Sequence, residues 1–240
     1  MYESEIYKGG KLYYEIPIGI LCLESYFPKM RGHLRNPRTY NFPTVTKVLK
    51  GLDIPKLLFN PSKEMIAPLI QAAQELEKEG VKAITGSCGF MALFQKEIAE
   101  SVNIPVFMSS LLQLPLIRIM HGEKANIGIL TASKKALSSK HLEACSVDYE
   151  SVFIEGMEGN PEFWETVIEG KRFDFNLSLL EKEIVGTALR FINDKKLDAL
   201  LLECTDLPPF AKQIQQNSNV PVYDINSLMQ LVHSTVQWKI

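Results

Sequence analysis

Two cysteines, Cys88 and Cys204, sit 116 residues apart at matching places in two copies of one sequence unit. Residues 82–107 superpose without a gap on residues 198–223: Ala83 on Ala199, Cys88 on Cys204, Phe94 on Phe210, Lys96 on Lys212 and Pro105 on Pro221. Ile18-Gly19-Ile20-Leu21 recurs as Ile127-Gly128-Ile129-Leu130, and Ser110-Leu111-Leu112-Gln113-Leu114 is echoed by Ser227-Leu228-Met229-Gln230-Leu231. Each copy therefore brings one thiol to the same point of its own fold. A thiol, with a reference pKa of about 8.5, needs only a modest shift to exchange a proton at neutral pH. Two alike thiols facing one carbon from opposite sides are what inverting a stereocentre requires. One takes the proton from one face, and the other returns it to the opposite face.

Positioning such groups is the task of the flanking elements. Short apolar, β-branched runs predict strands at 16–22, 54–59, 81–86, 104–108, 126–131, 149–154, 197–203 and 220–224. Amphipathic stretches predict helices at 43–51, 61–79, 89–101, 110–120, 133–144, 176–193, 206–217 and 225–237. Their alternation specifies an α/β fold of two similar doubly wound parallel-sheet (Rossmann-like) domains, related by a pseudo-two-fold, with the active site in the interdomain cleft. The expected division is 1–122 for the N-terminal α/β domain carrying Cys88 and 123–224 for the C-terminal one carrying Cys204. The helix within 225–240 is expected to pack back on the first. Both cysteines end a strand and precede a helix, where the macrodipole should lower a thiol pKa. The stretch 29–43 is polar and long for a connection, and it carries Lys29, Arg31, Arg35 and Arg38 at the same sheet edge. Arginine there offers two-pronged recognition of a carboxylate.

Composition narrows the classes. The 240 residues are 46% hydrophobic and 22% charged, enough for a sizeable core, and a net charge of −2 gives no footprint for nucleic acid. No apolar run approaches the roughly 20 residues that span a bilayer, and the N-terminus lacks the apolar centre of a signal peptide. The expectation is a cytoplasmic protein with reduced thiols and no membrane partner. Cysteines at 22, 88, 145 and 204 contain no CxxC, and histidines at 33, 121, 141 and 233 no HxxxH, so no metal site is expected. Cys22 and Cys145 have no repeat counterparts and read as packing residues.

The segments Thr85-Gly86-Ser87-Cys88 and Glu203-Cys204-Thr205-Asp206 resemble the cofactor-independent aspartate/glutamate racemase superfamily, from about Pro17 to the C-terminus. That superfamily also holds hydantoin racemases, maleate isomerases and arylmalonate decarboxylases. The resemblance implies that Cys88 and Cys204 are the acid/base pair, that no pyridoxal phosphate or other cofactor is used, and that Thr205 helps to bind a carboxylate. Asp206 would then assist the second thiol. Gly89-Phe90 stands where amino-acid racemases carry Asn-Thr, and Cys22 where glutamate racemases carry Asp. Substrate contacts are expected from Thr85, Ser87, Gly89 and Thr205, from Ser109 after strand 104–108, and from Arg35 and Arg38. Ser110 beside it reads as a helix cap. The expected function is a PLP-independent amino-acid racemase or epimerase acting on a small carboxylate-bearing substrate. A decarboxylase or cis–trans isomerase of the same superfamily stays open, as does a two-lobed metabolite-binding protein without chemistry. A homodimer is compatible with the sequence.

Overall fold

In a computed structural model that describes residues 9–237, eight short strands form two four-stranded sheets, every neighbouring pair parallel. The first holds β1 (Ile18–Glu24), β2 (Thr44–Asp53), β3 (Ala83–Gly86) and β4 (Val106–Phe107) in the order β2-β1-β3-β4. The second holds β5 (Ile127–Thr131), β6 (Phe153–Gly156), β7 (Ala199–Leu202) and β8 (Val222–Tyr223) in the order β6-β5-β7-β8. The repeat extends to register. Ile18–Leu21 pair with Ala83–Gly86 just as Ile127–Leu130 pair with Ala199–Leu202.

Burial on both faces explains the unbroken apolar strands. Successive β1 side chains alternate between two cores: Leu21 and Leu23 join the large core, whereas Ile18, Ile20 and Cys22 join a second cluster with Ile225, Leu228 and Met229. Those last three residues belong to a helix that follows β8 in the chain yet covers the first sheet. The helices are α1 (Ile54–Phe59), α2 (Ile66–Glu79), α3 (Gln95–Ala99), α4 (Leu114–His121), α5 (Ser139–Glu143), α6 (Pro161–Phe163), α7 (Leu177–Lys195), α8 (Ala211–Ser218) and α9 (Ile225–Val236). A π-helical turn, Trp164–Ile168, continues α6. The expected 122/123 division falls in the link between α4 and β5. None of the described helices is long and apolar enough to cross a membrane.

The local expectations fail in two adjacent places. Residues 43–51 were expected as a helix and form β2, because Thr44, Val45, Thr46 and Val48 favour extended backbone and the strand finds a ladder on β1. Residues 54–59 were expected as a strand and form α1. Asp53 accepts the Lys56 N–H at 2.9 Å as an N-cap, and Pro55 occupies the first turn, where its missing N–H is harmless. The helix expected over 133–144 shortens to α5, and those expected from 89, 110 and 206 begin with 3-10 turns.

Candidate active site

The crevice of an open parallel sheet lies at the carboxyl ends of its strands, where the order of connections reverses. In each sheet that point is the central pair, β1/β3 and β5/β7, and the thiols follow β3 and β7. Cys88 and Cys204 line one small cavity between the lobes, together with Ser87, Glu203, Thr205 and Asp206. Ile54 and Leu58 of α1, Phe90, Ala132, and Val167 and Ile168 of the π-turn supply apolar walls. The space left is about 10 Å³ of room for a water's centre, roughly one molecule. A second cavity of similar size, lined by Phe27, His33, Phe163 and Pro209 among others, shares Val167 and Asp206 with the first. Two aromatic pairs bridge the lobes above this cleft. Tyr26 meets Phe173 edge-on at 5.9 Å, and Phe59 of α1 meets Trp164 at 6.4 Å.

The two thiols have unequal surroundings. Cys88 is the extended N-cap of the 3-10 turn Gly89–Phe94, and the Phe90 N–H donates to its sulfur. The Cys204 S–H donates to Asp206 Oδ2 at 3.6 Å. Neither thiol has the lowered pKa that its helix position led one to expect. Burial pushes both thiols well above their ordinary value; Glu203 and then Asp206 add to this at Cys88, and Asp206 and then Glu203 at Cys204. The backbone donors are too weak to reverse this.

Asp206 is the electrostatic centre. His33 Nε2 lies 3.0 Å from its Oδ1, and His33 Nδ1 accepts the Arg35 N–H at 2.9 Å. The ring proton therefore sits on Nε2, facing the carboxylate, and burial keeps the imidazole neutral. Burial alone would raise the Asp206 carboxyl, but His33 and Lys29 outweigh it and hold Asp206 ionised. The Lys29 ammonium rests over the Phe27 ring, 2.9 Å from its centroid, and donates to Phe27 O at 3.1 Å. Burial first, and Arg35 in addition, bring its pKa down to about 8 against the pull of Asp206.

Other expected site residues are placed as follows. Ser87 and Thr205 tie the lobes together: the Thr205 hydroxyl donates to Ser87 O at 2.6 Å, and Ser87 Oγ accepts the Leu23 N–H at 3.0 Å. Gly89 lies under Glu203, and a Cβ there would collide with Glu203 Oε1. Thr85, Ser109, Arg35 and Arg38 are not brought to the cavity between the thiols. Thr85 donates to Phe107 O at 2.6 Å within the first sheet. Arg35 is spent on Leu23 O and Ser25 Oγ, and Arg38 is exposed. The roles of the paired serines are reversed. Ser109 caps by accepting the Leu111 N–H, and the Ser110 hydroxyl crosses to Leu202 O at 2.9 Å. Cys22 and Cys145 are buried, with pKa values pushed up to about 11 and about 12, chiefly by burial. Sequence reasoning overlooked Glu203 and His33. A charged residue closing the all-apolar run Ala199–Leu202 was the available signal for Glu203, since carboxyls are almost never fully buried without a reason.

No family model matches the chain. Among solved structures, aspartate racemase from Picrophilus torridus shares its fold at a TM-score of 0.58 and 15% identity, covering 93% of this chain and 96% of the racemase. Glutamate racemase and arylmalonate decarboxylase give neighbours of the same kind. Two parallel four-stranded sheets of equal order, with a thiol after the third strand of each, give this chain the fold of those racemases and of the decarboxylase. At the level of sequence, a dimethylsulfoniopropionate lyase from Durusdinium sp. clade D is 30% identical over 214 residues, 86% of this chain and 70% of the lyase. Dimethylsulfoniopropionate lyase 6 of Emiliania huxleyi (strain CCMP1516) is 29% identical over 222 residues, and the chain spans just over half of it, 56%. The chain belongs to the dimethylsulfoniopropionate lyase family.

Proposed function

We propose that this chain splits dimethylsulfoniopropionate into dimethyl sulfide and acrylate by removing a proton from the carbon next to the carboxylate. One observation carries the reading. Of the two thiols, Cys204 has a carboxylate ready to take its proton, Asp206 Oδ2 at 3.6 Å, whereas Cys88 has only an N–H donor. As the sulfonium enters, its positive charge favours the thiolate, and the Cys204 proton passes to Asp206. The thiolate takes the α-proton, the Cα=Cβ double bond forms, and the Cβ–S bond breaks with its electron pair going to sulfur. Dimethyl sulfide leaves neutral and needs no acid. Cys204 is again a thiol, and Asp206 returns its proton to solvent. Cys88 stays protonated, free to donate to the carboxylate oxygen that gains charge in the transition state.

Racemisation of an amino acid, the reaction expected from the paired cysteines, begins with the same α-proton removal. It differs in needing a second acid of equal strength and a grip on an α-amino group, where this chain has Gly89-Phe90. The lyase reading is favoured by the unequal thiols and by the relatives' names. The deciding experiment incubates purified protein with dimethylsulfoniopropionate and measures dimethyl sulfide by headspace gas chromatography and acrylate by proton NMR. Equal amounts of both products are expected. No release, with deuterium washing into an amino acid in D2O instead, would hand the site to racemase chemistry.

A further inference from the structure

We propose that Glu203 reads the positive charge of the substrate's leaving group and selects sulfonium-bearing carboxylates over neutral ones of the same shape. The proposal rests on the lyase reading and adds the basis of its selectivity. Glu203 is fully buried between the thiols and lines their cavity. Its Oε2 accepts the Thr131 hydroxyl at 2.7 Å, and the Ala132 N–H also donates to the carboxyl. Oε1 has no hydrogen-bond partner and sits over Gly89, where only a glycine leaves it room. The two carboxyls of the site differ in one respect. Asp206 has His33 and Lys29 beside it, whereas Glu203 makes no ion pair among the described residues.

An unpaired buried carboxylate costs several kcal/mol, so the group takes up a proton instead. Burial pushes its pKa up to about 7. The titratable groups coupled to it are Cys88, Cys145 and Cys204, all held as thiols, and the anion Asp206. His141 of α5, beyond the Phe90 ring, is kept neutral by burial with a pKa of about 4. None of these brings a positive charge, so a cationic ligand supplies what the site lacks. A sulfonium fits for a further reason. It carries no N–H and demands no hydrogen-bond acceptor, only charge and apolar contact for its methyl groups, which Ile54, Leu58 and Phe90 provide. Because the charge on sulfur vanishes as the bond breaks, Glu203 stabilises bound substrate more than transition state. Losing it should therefore raise KM and kcat together and leave kcat/KM little changed.

The test compares two ligands of one shape and different charge, 3-(trimethylammonio)propionate and 4,4-dimethylpentanoate, by titration calorimetry on the full chain. At about pH 8 the wild type should bind the cation at least about tenfold more tightly, a modest share of a buried charge pair. Glu203→Gln, which keeps an oxygen for Thr131, should bind the two within about twofold, and its KM for dimethylsulfoniopropionate should rise with kcat rising in step. The wild-type preference should also fade as pH drops through about 7, which requires no variant to fold. A preference unchanged by both the substitution and pH, or no cation preference in the wild type, overturns the proposal. A Glu203-dependent preference in a protein that releases no dimethyl sulfide would refute the reaction and leave the charge reading intact.

Discussion

Replacing Asp206 with Asn should push thiol reactivity and turnover in opposite directions. The Cys204 sulfur lies 3.6 Å from Asp206 Oδ2, and that carboxylate is ionised. A thiolate at that distance from a unit negative charge is opposed by about 5 kcal/mol at an effective dielectric of about 20. Asn has the same shape and keeps an oxygen to accept the S–H, so the substitution removes charge and little else. It should raise the thiolate population at a fixed pH by about 10³-fold. Part of this is withdrawn because Lys29 loses the partner that supports its own charge. An increase of about 10²-fold in the alkylation rate of Cys204 by iodoacetamide, followed by peptide mass spectrometry, is the expected result. Turnover should nevertheless fall about 10²–10⁴-fold, because Asn cannot take the proton that Cys204 must release. Alkylation at the wild-type rate would mean that Cys204 does not feel the Asp206 charge. Turnover that rises in step with alkylation would make Asp206 a brake on the thiol and end its role as proton acceptor.

Cys204→Ala should reduce dimethyl sulfide release by about 10²–10⁴-fold, and Cys88→Ala by only about tenfold, the worth of one hydrogen bond; equal losses in the two variants, measured by headspace chromatography, would restore a symmetric pair. Burial holds Cys145 protonated to about pH 12 against an ordinary value of 9.0, so its contribution is complete below pH 9 and lost as pH rises towards 12. Guanidinium unfolding between about pH 8 and pH 11 should therefore show Cys145→Ala gaining on the wild type, towards a limit of about 4 kcal/mol, and parallel curves would contradict this. Arg38→Ala should change KM less than about twofold, because the side chain is exposed; a tenfold rise would reinstate it as a carboxylate clamp.

The repeat made most of the architecture legible. A unit that matches over residues 82–107 and 198–223 must fold alike, and the equal strand orders follow from it. What it could not reach lies outside the repeat. The segment 43–59 has no partner in the second half to check it, and there a β-branched run was taken for a helix while the cap Asp53 with Pro55 was missed. The site shows the same division. Cys88, Cys204, Ser87, Thr205 and Asp206 follow repeated strands and line one cavity. His33 and Lys29 come from the irregular stretch after β1, whose path depends on packing against the other lobe. Gly32 there lies so close to Pro209 that a Cβ would fall 2.7 Å from the Pro209 Cα. Arg35 and Arg38 share that stretch, and nothing in their identity says which of its cations turn inward. The thiols lie above their ordinary range because helix position is local, whereas burial, and at Cys88 the carboxyls of the opposite lobe, are tertiary.

The matched register of the two sheets bears on how such a site can evolve. A racemase must run in both directions over one barrier, so selection holds its two half-sites chemically equal. An elimination that expels a self-sufficient leaving group asks for one base. In a duplicated fold that carries such a reaction, the constraint on the other copy lapses, and its residues are released to drift or to take up new work. The sequences after the two thiols, Gly89-Phe90 and Thr205-Asp206, have diverged while the strands beneath them have kept one geometry. In this chain the two sheets keep one register, while the side chains at the strand ends no longer match.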